Sequence, residues 1–275
     1  MAHEDGTLLA EEIYPVAEAC GQSAEQVRSC LRRLVSEDLF ARSGTGRAAR
    51  FTATADGRAA LAATTQRTRL AWTQDVAGRG WDGQWRIVTF AVPETRRATR
   101  DALRERLRTL GGAALQGGVY VSPHPWHDDV RDAAQRAGVT AGLSFLTATE
   151  LEVDGERDPV ALARRLWPID DLAERYRRFV DEYQWVPEAL ANMRTRHEWL
   201  PDTDFLPGAM SMAIAFAESF NDDPLLPPEL LPRPWPGRTA RELLVRSRRG
   251  ALALRQASGR PALFRMFDET VDAVP

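Results

Sequence analysis

Ser23-Ala24-Glu25-Gln26-Val27-Arg28-Ser29-Cys30-Leu31-Arg32-Arg33-Leu34-Val35 decides how this chain is read. Ser23 is an N-cap residue, because its hydroxyl can accept a hydrogen bond from a free backbone N–H in the first helical turn. Ala24, Val27, Leu31, Leu34 and Val35 then form an apolar stripe at helical spacing, with Cys30 on its edge. At 100° per residue the opposite face carries Glu25, Ser29, Arg32 and Arg33, flanked by Gln26 and Arg28. Upstream, Leu8, Leu9, Ile13, Val16 and Ala17 predict a helix from Thr7 to Cys20, which Gly21 ends. Two helices joined by a short turn, the second polar and basic outside, form a helix-turn-helix whose second helix suits a major groove.

Downstream, Leu39-Phe40-Ala41-Arg42 and Arg47-Ala48-Ala49-Arg50-Phe51-Thr52 read as two strands around Ser43-Gly44-Thr45-Gly46. This predicts a β-wing, with Arg42, Arg47 and Arg50 against sugar-phosphate. Gly44-Thr45-Gly46 lacks the Gly-Lys-Ser/Thr ending of a nucleotide-phosphate loop. Charge placement agrees with the wing. Residues 1–27 hold six acids and no arginine, whereas residues 28–50 hold six arginines against Glu37 and Asp38, a local +4 in a chain of net charge −3. Such a basic element is what phosphate contact requires, since neutralised phosphates release their counterions.

The 275 residues suit more than one compact domain, and 44% hydrophobic content excludes wholesale disorder. No apolar run is long enough to span a bilayer, and the first residues lack a signal-peptide pattern, so a cytoplasmic chain with no membrane partner is expected. Cys20 and Cys30 are too few for a disulfide scaffold or a four-thiolate zinc site and are expected to behave as small buried hydrophobes.

Thr54 to Trp72 reads as a helix and Thr73 to Gly83 as a flexible linker. Next come a strand at Trp85–Val92, a helix around Ala98–Leu110, strands at Ala113–Leu115 and Val119–Ser122, a helix at Asp128–Ala137 and an apolar stretch from Leu143 to Leu151. That βαββαβ order specifies a ferredoxin-like sandwich. Within it, Asp101 with Arg104 and Glu105 with Arg108 are spaced as ion pairs on an exposed helix. His124 and His127 read as loop residues, and no metal is expected. From Asp158 the chain is mostly helical, with 12 of the 22 aromatic residues. The Pro-rich stretch from Asn221 to Pro232 is expected to pack along this helical domain. The fold class is thus α+β: a winged helix-turn-helix over 1–72, a ferredoxin-like domain over 84–152, and a mostly helical domain over 158–275 that could hold an effector.

Several strings together resemble the PaaX family, repressors of bacterial phenylacetic-acid catabolism. They are the Ser23–Val35 helix, Trp81-Asp82-Gly83-Gln84-Trp85-Arg86-Ile87-Val88, Gly117-Gly118-Val119-Tyr120-Val121-Ser122-Pro123, Ala173-Glu174-Arg175-Tyr176-Arg177-Arg178-Phe179, and Asp223 to Pro232 followed by Trp235-Pro236-Gly237. The resemblance implies a homodimeric repressor of a catabolic operon, bound to a palindromic double-stranded DNA operator. It also implies release by an aryl-acyl-coenzyme A thioester such as phenylacetyl-CoA, with no resident cofactor. Family members usually carry a further helix before the one read from Thr7, and their wing resembles Gly-Arg-Arg-Ser-Tyr-Tyr where this chain has Gly46-Arg47-Ala48-Ala49-Arg50-Phe51. The middle segment is also similar to small ferredoxin-like nucleases of CRISPR systems. Phe90-Ala91-Val92-Pro93 offers no carboxylate where those enzymes hold a metal, which implies a non-catalytic copy used for assembly. The alternatives to a repressor are a regulatory scaffold that binds protein and a metal-dependent nuclease.

Overall fold

The computed structural model describes residues 2–139 and 141–255, together with Phe264 and Phe267; the rest of the segment to residue 275 lies outside the described residues. In chain order the elements are β1 (Thr7–Leu9), α1 (Ala10–Ala19), α2 (Ala24–Ser36), β2 (Phe40–Ser43), β3 (Arg50–Ala53), α3 (Ala55–Ala77), β4 (Trp85–Phe90) and α4 (Arg97–Thr109). They continue with β5 (Ala113–Gln116), β6 (Val119–Ser122), α5 (His127–Arg136), β7 (Leu143–Ala148), α6 (Pro159–Leu166), α7 (Ile169–Tyr183), α8 (Val186–Thr195), α9 (Asp202–Phe220) and α10 (Pro236–Leu254). Helices and two antiparallel sheets make this an α+β chain. Packing groups it into two compact units, residues 1–73 with 179–216 and 240–275, and residues 74–178 with 217–239. The helical stretch after Asp158 is therefore shared between both units.

In the first unit the sheet order is β1-β3-β2. Thr7–Leu9, expected to open the first helix, pairs instead with Thr52, Phe51 and Arg50 of β3, and α1 begins at Ala10. Three residues cannot distinguish a period of 2 from one of 3.6, and the unsatisfied edge of β3 supplied the partner. The second strand of the hairpin also starts later than expected, at Arg50, because Gly46–Ala48 forms a 3-10 turn. At the start of α2, Ser23 Oγ accepts from the Gln26 N–H at 3.2 Å, and Gln26 Oε1 accepts from the Ser23 N–H at 2.7 Å. This reciprocal capping box satisfies two helix-end donors. The helix closes with Asp38 at φ 55° and the Leu39 N–H bonded to the Leu34 carbonyl. Val27 and Leu31 of α2 then pack with Ala10, Phe40, Ala49, Phe51 and Ala53 in one core. A second cluster of the same unit joins Val16 of α1 to Phe205 and Leu206 of α9, with Leu200, Ala251 and Leu252 against them. Cys20 is partly buried and packs against the Val16 cluster, in the manner of the small hydrophobe expected, whereas Cys30 is exposed at the edge of the α2 stripe and is not buried as expected.

The second unit holds the βαββαβ elements in a sheet of order β5-β6-β4-β7. One sheet face buries Val88, Phe90 and Tyr120 under Leu103 and Leu107 of α4 and Val130 and Ala134 of α5. The other buries Trp85 and Val121 under Leu162, Trp167, Leu226 and Leu230. Trp85 stacks on Trp167 at 6.5 Å, and Trp167 Nε1 donates to the Gly111 carbonyl. The Pro-rich stretch after Asn221 thus serves as part of the cover of the sheet, because Leu226 and Leu230 find their apolar partners there. It is fixed by Asp223, whose carboxylate accepts from the Tyr176 hydroxyl at 2.8 Å and from the Leu225 N–H at 2.8 Å. The expected linker is shorter and better anchored than its glycines imply: α3 runs to Ala77, the Gly80 N–H bonds to the Glu229 carboxylate, and Trp81 packs 5.2 Å from Trp85.

Two glycines give opposite expectations. A Cβ on Gly57 would fall 1.9 Å from the Leu39 carbonyl oxygen, whereas one on Gly208, within α9, meets nothing within 4 Å. Gly57→Ala should therefore destabilise by about 1–3 kcal/mol through overpacking, and Gly208→Ala should stabilise by up to about 1 kcal/mol through helix propensity; urea unfolding midpoints read both. His127 supplies a pH expectation. Burial, then the Arg131 charge, push its imidazole below the ordinary 6.5, while a hydrogen bond to the Ile87 backbone pulls the other way. Below about pH 6.5 the unfolded chain takes up a proton that the folded chain refuses. Stability should accordingly fall as pH drops through the window beneath 6.5, and His127→Gln should flatten that fall in urea midpoints recorded across it.

Candidate nucleic-acid interface

The capping box sets where α2 starts, and the packing of Val27 and Leu31 on Phe51 sets how it rolls against the hairpin. Between α1, α2 and the hairpin lies an open cleft of about 960 Å³. Arg28 and Arg32 from α2 and Arg42 and Arg47 from the hairpin line it above a floor that includes Val27, Leu31 and Phe51. Four guanidinium groups from two elements thus face one concavity, an arrangement suited to an extended polyanion that carries phosphates along both walls.

Not every expected residue joins them. Arg50 stands directly before Phe51 in β3, and successive strand side chains alternate between faces. Phe51 faces the core and pairs with Arg42, whereas Arg50 pairs with Ser43 and Leu9. Arg50 therefore lies on the other face of the sheet, near Asp5, whose carboxyl is held below the usual carboxylate range chiefly by its hydrogen bonds from Thr7 and only slightly by the Arg50 charge. Gln26, Ser29 and Arg33 are exposed on the outer side of α2, away from the cleft. Gln26 is committed to the cap through its side-chain oxygen.

Glu25 binds two of the cleft arginines. Its carboxylate accepts from Arg28 Nη2 at 2.7 Å and Nε at 3.1 Å, and from Arg32 Nη2 at 3.0 Å. The Arg28 hydrogen bond and charge, with a lesser part from Arg32, hold the Glu25 carboxyl below its ordinary range. Arg28 is raised in turn by Glu25, with a smaller contribution from Tyr14 of α1. Tyr14, together with Glu18 and Gln22, belongs to the cleft and was missed in the sequence. Ala10, Tyr14 and Glu18 recur every four residues along α1, a spacing that places them on one face.

In the second unit the expected ion pairs are present on α4, Arg104 with Asp101 at 3.5 Å and Arg108 with Glu105 at 3.6 Å. Arg100, also on α4, pairs with Glu94 of the preceding turn at 2.5 Å, so several arginines of this helix have an acidic partner although residues 94–108 keep a net +3. His124 lies in the loop before α5, its ring nitrogen 3.2 Å from the Pro224 carbonyl, and His127 opens α5. Among the described residues no group of three or more His, Cys, Asp or Glu is placed to hold a metal ion.

Comparison with known proteins identifies relatives. The chain is 24% identical over 255 residues to the protein named transcriptional repressor PaaX of Escherichia coli strain K12, covering 89% of this chain and 74% of that one. Its fold is similar to that of the uncharacterized protein Rv0674 from Mycobacterium tuberculosis, at 25% identity and a TM-score of 0.51, covering 90% and 88% of the two chains. Residues 78–161 match the family described as the PaaX protein central Cas2-like domain, and residues 167–258 match the PaaX-like protein C-terminal domain. These two matches span more than half of the sequence, so the chain belongs to the PaaX-like family.

Proposed function

We propose that the protein is a DNA-binding transcriptional repressor of the PaaX type and not an enzyme. In this reading α1, α2 and the β2–β3 hairpin act as a winged helix-turn-helix, with the helix in the major groove and the hairpin beside it. The observation that carries the reading is the cleft in which Arg28, Arg32, Arg42 and Arg47 converge from recognition helix and wing. The repressor named among the relatives supports it. Ser29 and Arg33 extend the contact along the outer side of α2, and Arg50 contributes least.

The middle segment is read as a ferredoxin-like domain that pairs two copies of the chain. Its strand order β5-β6-β4-β7, with α4 and α5 on one face, supports the ferredoxin-like part of that reading. A homodimer then presents two recognition helices to the halves of a palindromic operator. The effector is an aryl-acyl-CoA thioester, phenylacetyl-CoA by the family resemblance, received by the helical segment. It releases DNA by binding more tightly to an arrangement of the two winged domains whose spacing does not match the half-sites. No described helix is long and apolar enough to cross a membrane, in keeping with a cytoplasmic place of action.

Fluorescence anisotropy on DNA from upstream of the gene, over a range of salt with and without phenylacetyl-CoA, tests this reading. Affinity should fall steeply with salt and be lost with the thioester. Arg32→Ala and Arg33→Ala should each weaken binding while leaving the dimer intact. Each of Arg42→Ala and Arg47→Ala should lower the slope of log affinity against log salt by about 0.9, the value for one phosphate contact, and Arg50→Ala should change it less. Unchanged affinity for both Arg32→Ala and Arg33→Ala would remove α2 from the interface.

A further inference from the structure

We propose that Glu25 is a positioning residue that withholds Arg28 and Arg32 from indiscriminate phosphate contact and releases them to a matching base sequence. The proposal rests on the DNA-binding reading. Glu25 is the one acid in α2, and it sits in the first turn, where the partial positive charge of the helix end favours its ionised form. Each of its carboxylate oxygens is given to a different arginine, Oε2 to Arg28 and Oε1 to Arg32, one and two turns further along the same helix. Two cations thus share one counter-ion.

All three side chains are more than half exposed. As an aid to folding, such pairs count for little. Their location is what gives them consequence, because both arginines line the cleft they share with Arg42 and Arg47. A backbone phosphate that reaches Arg28 or Arg32 must displace a carboxylate and gains little from the exchange. A base edge can satisfy both partners: the exocyclic amino group of cytosine or adenine donates to a carboxylate, while guanine O6 and N7 accept from an arginine. Glu25 therefore lowers affinity for arbitrary duplex and leaves affinity for a matching site intact. This makes it a determinant of selectivity.

The test compares the full-length protein with Glu25→Gln by anisotropy over a salt series, on two duplexes: a mixed-sequence DNA and the DNA upstream of the gene. Circular dichroism checks that the variant folds. On mixed-sequence DNA, Glu25→Gln should steepen the log affinity against log salt slope by about 0.9 to 1.8, for one or two phosphates gained. It should also tighten that binding about tenfold at low salt. The preference for upstream over mixed-sequence DNA should shrink by at least that factor. In an Arg28→Gln/Arg32→Gln background the same substitution should leave the slope unchanged, since its effect runs through those two side chains. An unchanged slope in the single variant overturns the proposal. Equal steepening in both backgrounds also overturns it, by showing that Glu25 acts only as a distant charge. Failure of the wild-type protein to bind either duplex at low salt would instead remove the DNA-binding reading, and the proposal with it.

Discussion

Phe51 is the side chain on which the N-terminal region turns. It is buried at 4% exposure and packs in one cluster with Val27 and Leu31 of α2 and Ala10 of α1. A core of aromatic and branched side chains has few alternative packings, so this cluster fixes both the roll of α2 and its distance from the hairpin. The arginines take their places from that constraint. Arg42, opposite Phe51 in the ladder, is carried to the cleft, and Arg28 and Arg32 flank the buried stripe of α2 on the same side. The proposed interface, with cations on two elements, thus depends on one apolar contact beneath them.

Much of this was legible in the sequence, and the parts that were not share a cause. The α2 stripe, the Ser23 cap and the alternation of strands and helices from Trp85 to Leu151 are local patterns, and the elements lie close to where those patterns put them. Thr7–Leu9 became a strand because of a partner more than forty residues away, which no local window contains. Arg50 lies outside the cleft because its neighbour Phe51 takes the core face, and successive side chains of a strand face opposite ways. The role of Gln26 was readable, since Ser-x-x-Gln is the capping-box spacing.

The same distinction governs the second unit. Glycines around residue 80 and prolines around residue 227 read as loops and linkers, and by backbone conformation they are. Their side chains and amides are nevertheless committed: Glu229 to the Gly80 N–H, Trp81 to Trp85, Leu226 and Leu230 to the sheet face. Composition reports how a backbone can bend. It does not report what a bent segment covers, which depends on the apolar surface left open elsewhere, here one whole side of a four-stranded sheet.

The clustering of Val16 with Leu200, Phe205, Leu206 and Leu252 bears on how this chain is made. Proteins are synthesised from the N-terminus, and a domain generally folds as a unit during synthesis. In this chain Ala10, Ile13 and Ala17 of the helix that precedes α2 pack locally, but its other side, that of Val16, Ala19 and Cys20, stays open until residues some two hundred positions later have left the ribosome. Until then α1 carries an open hydrophobic strip in a nascent chain, a natural site for chaperone capture. The region whose own sequence reads most like a self-sufficient module is therefore among the last to be completed.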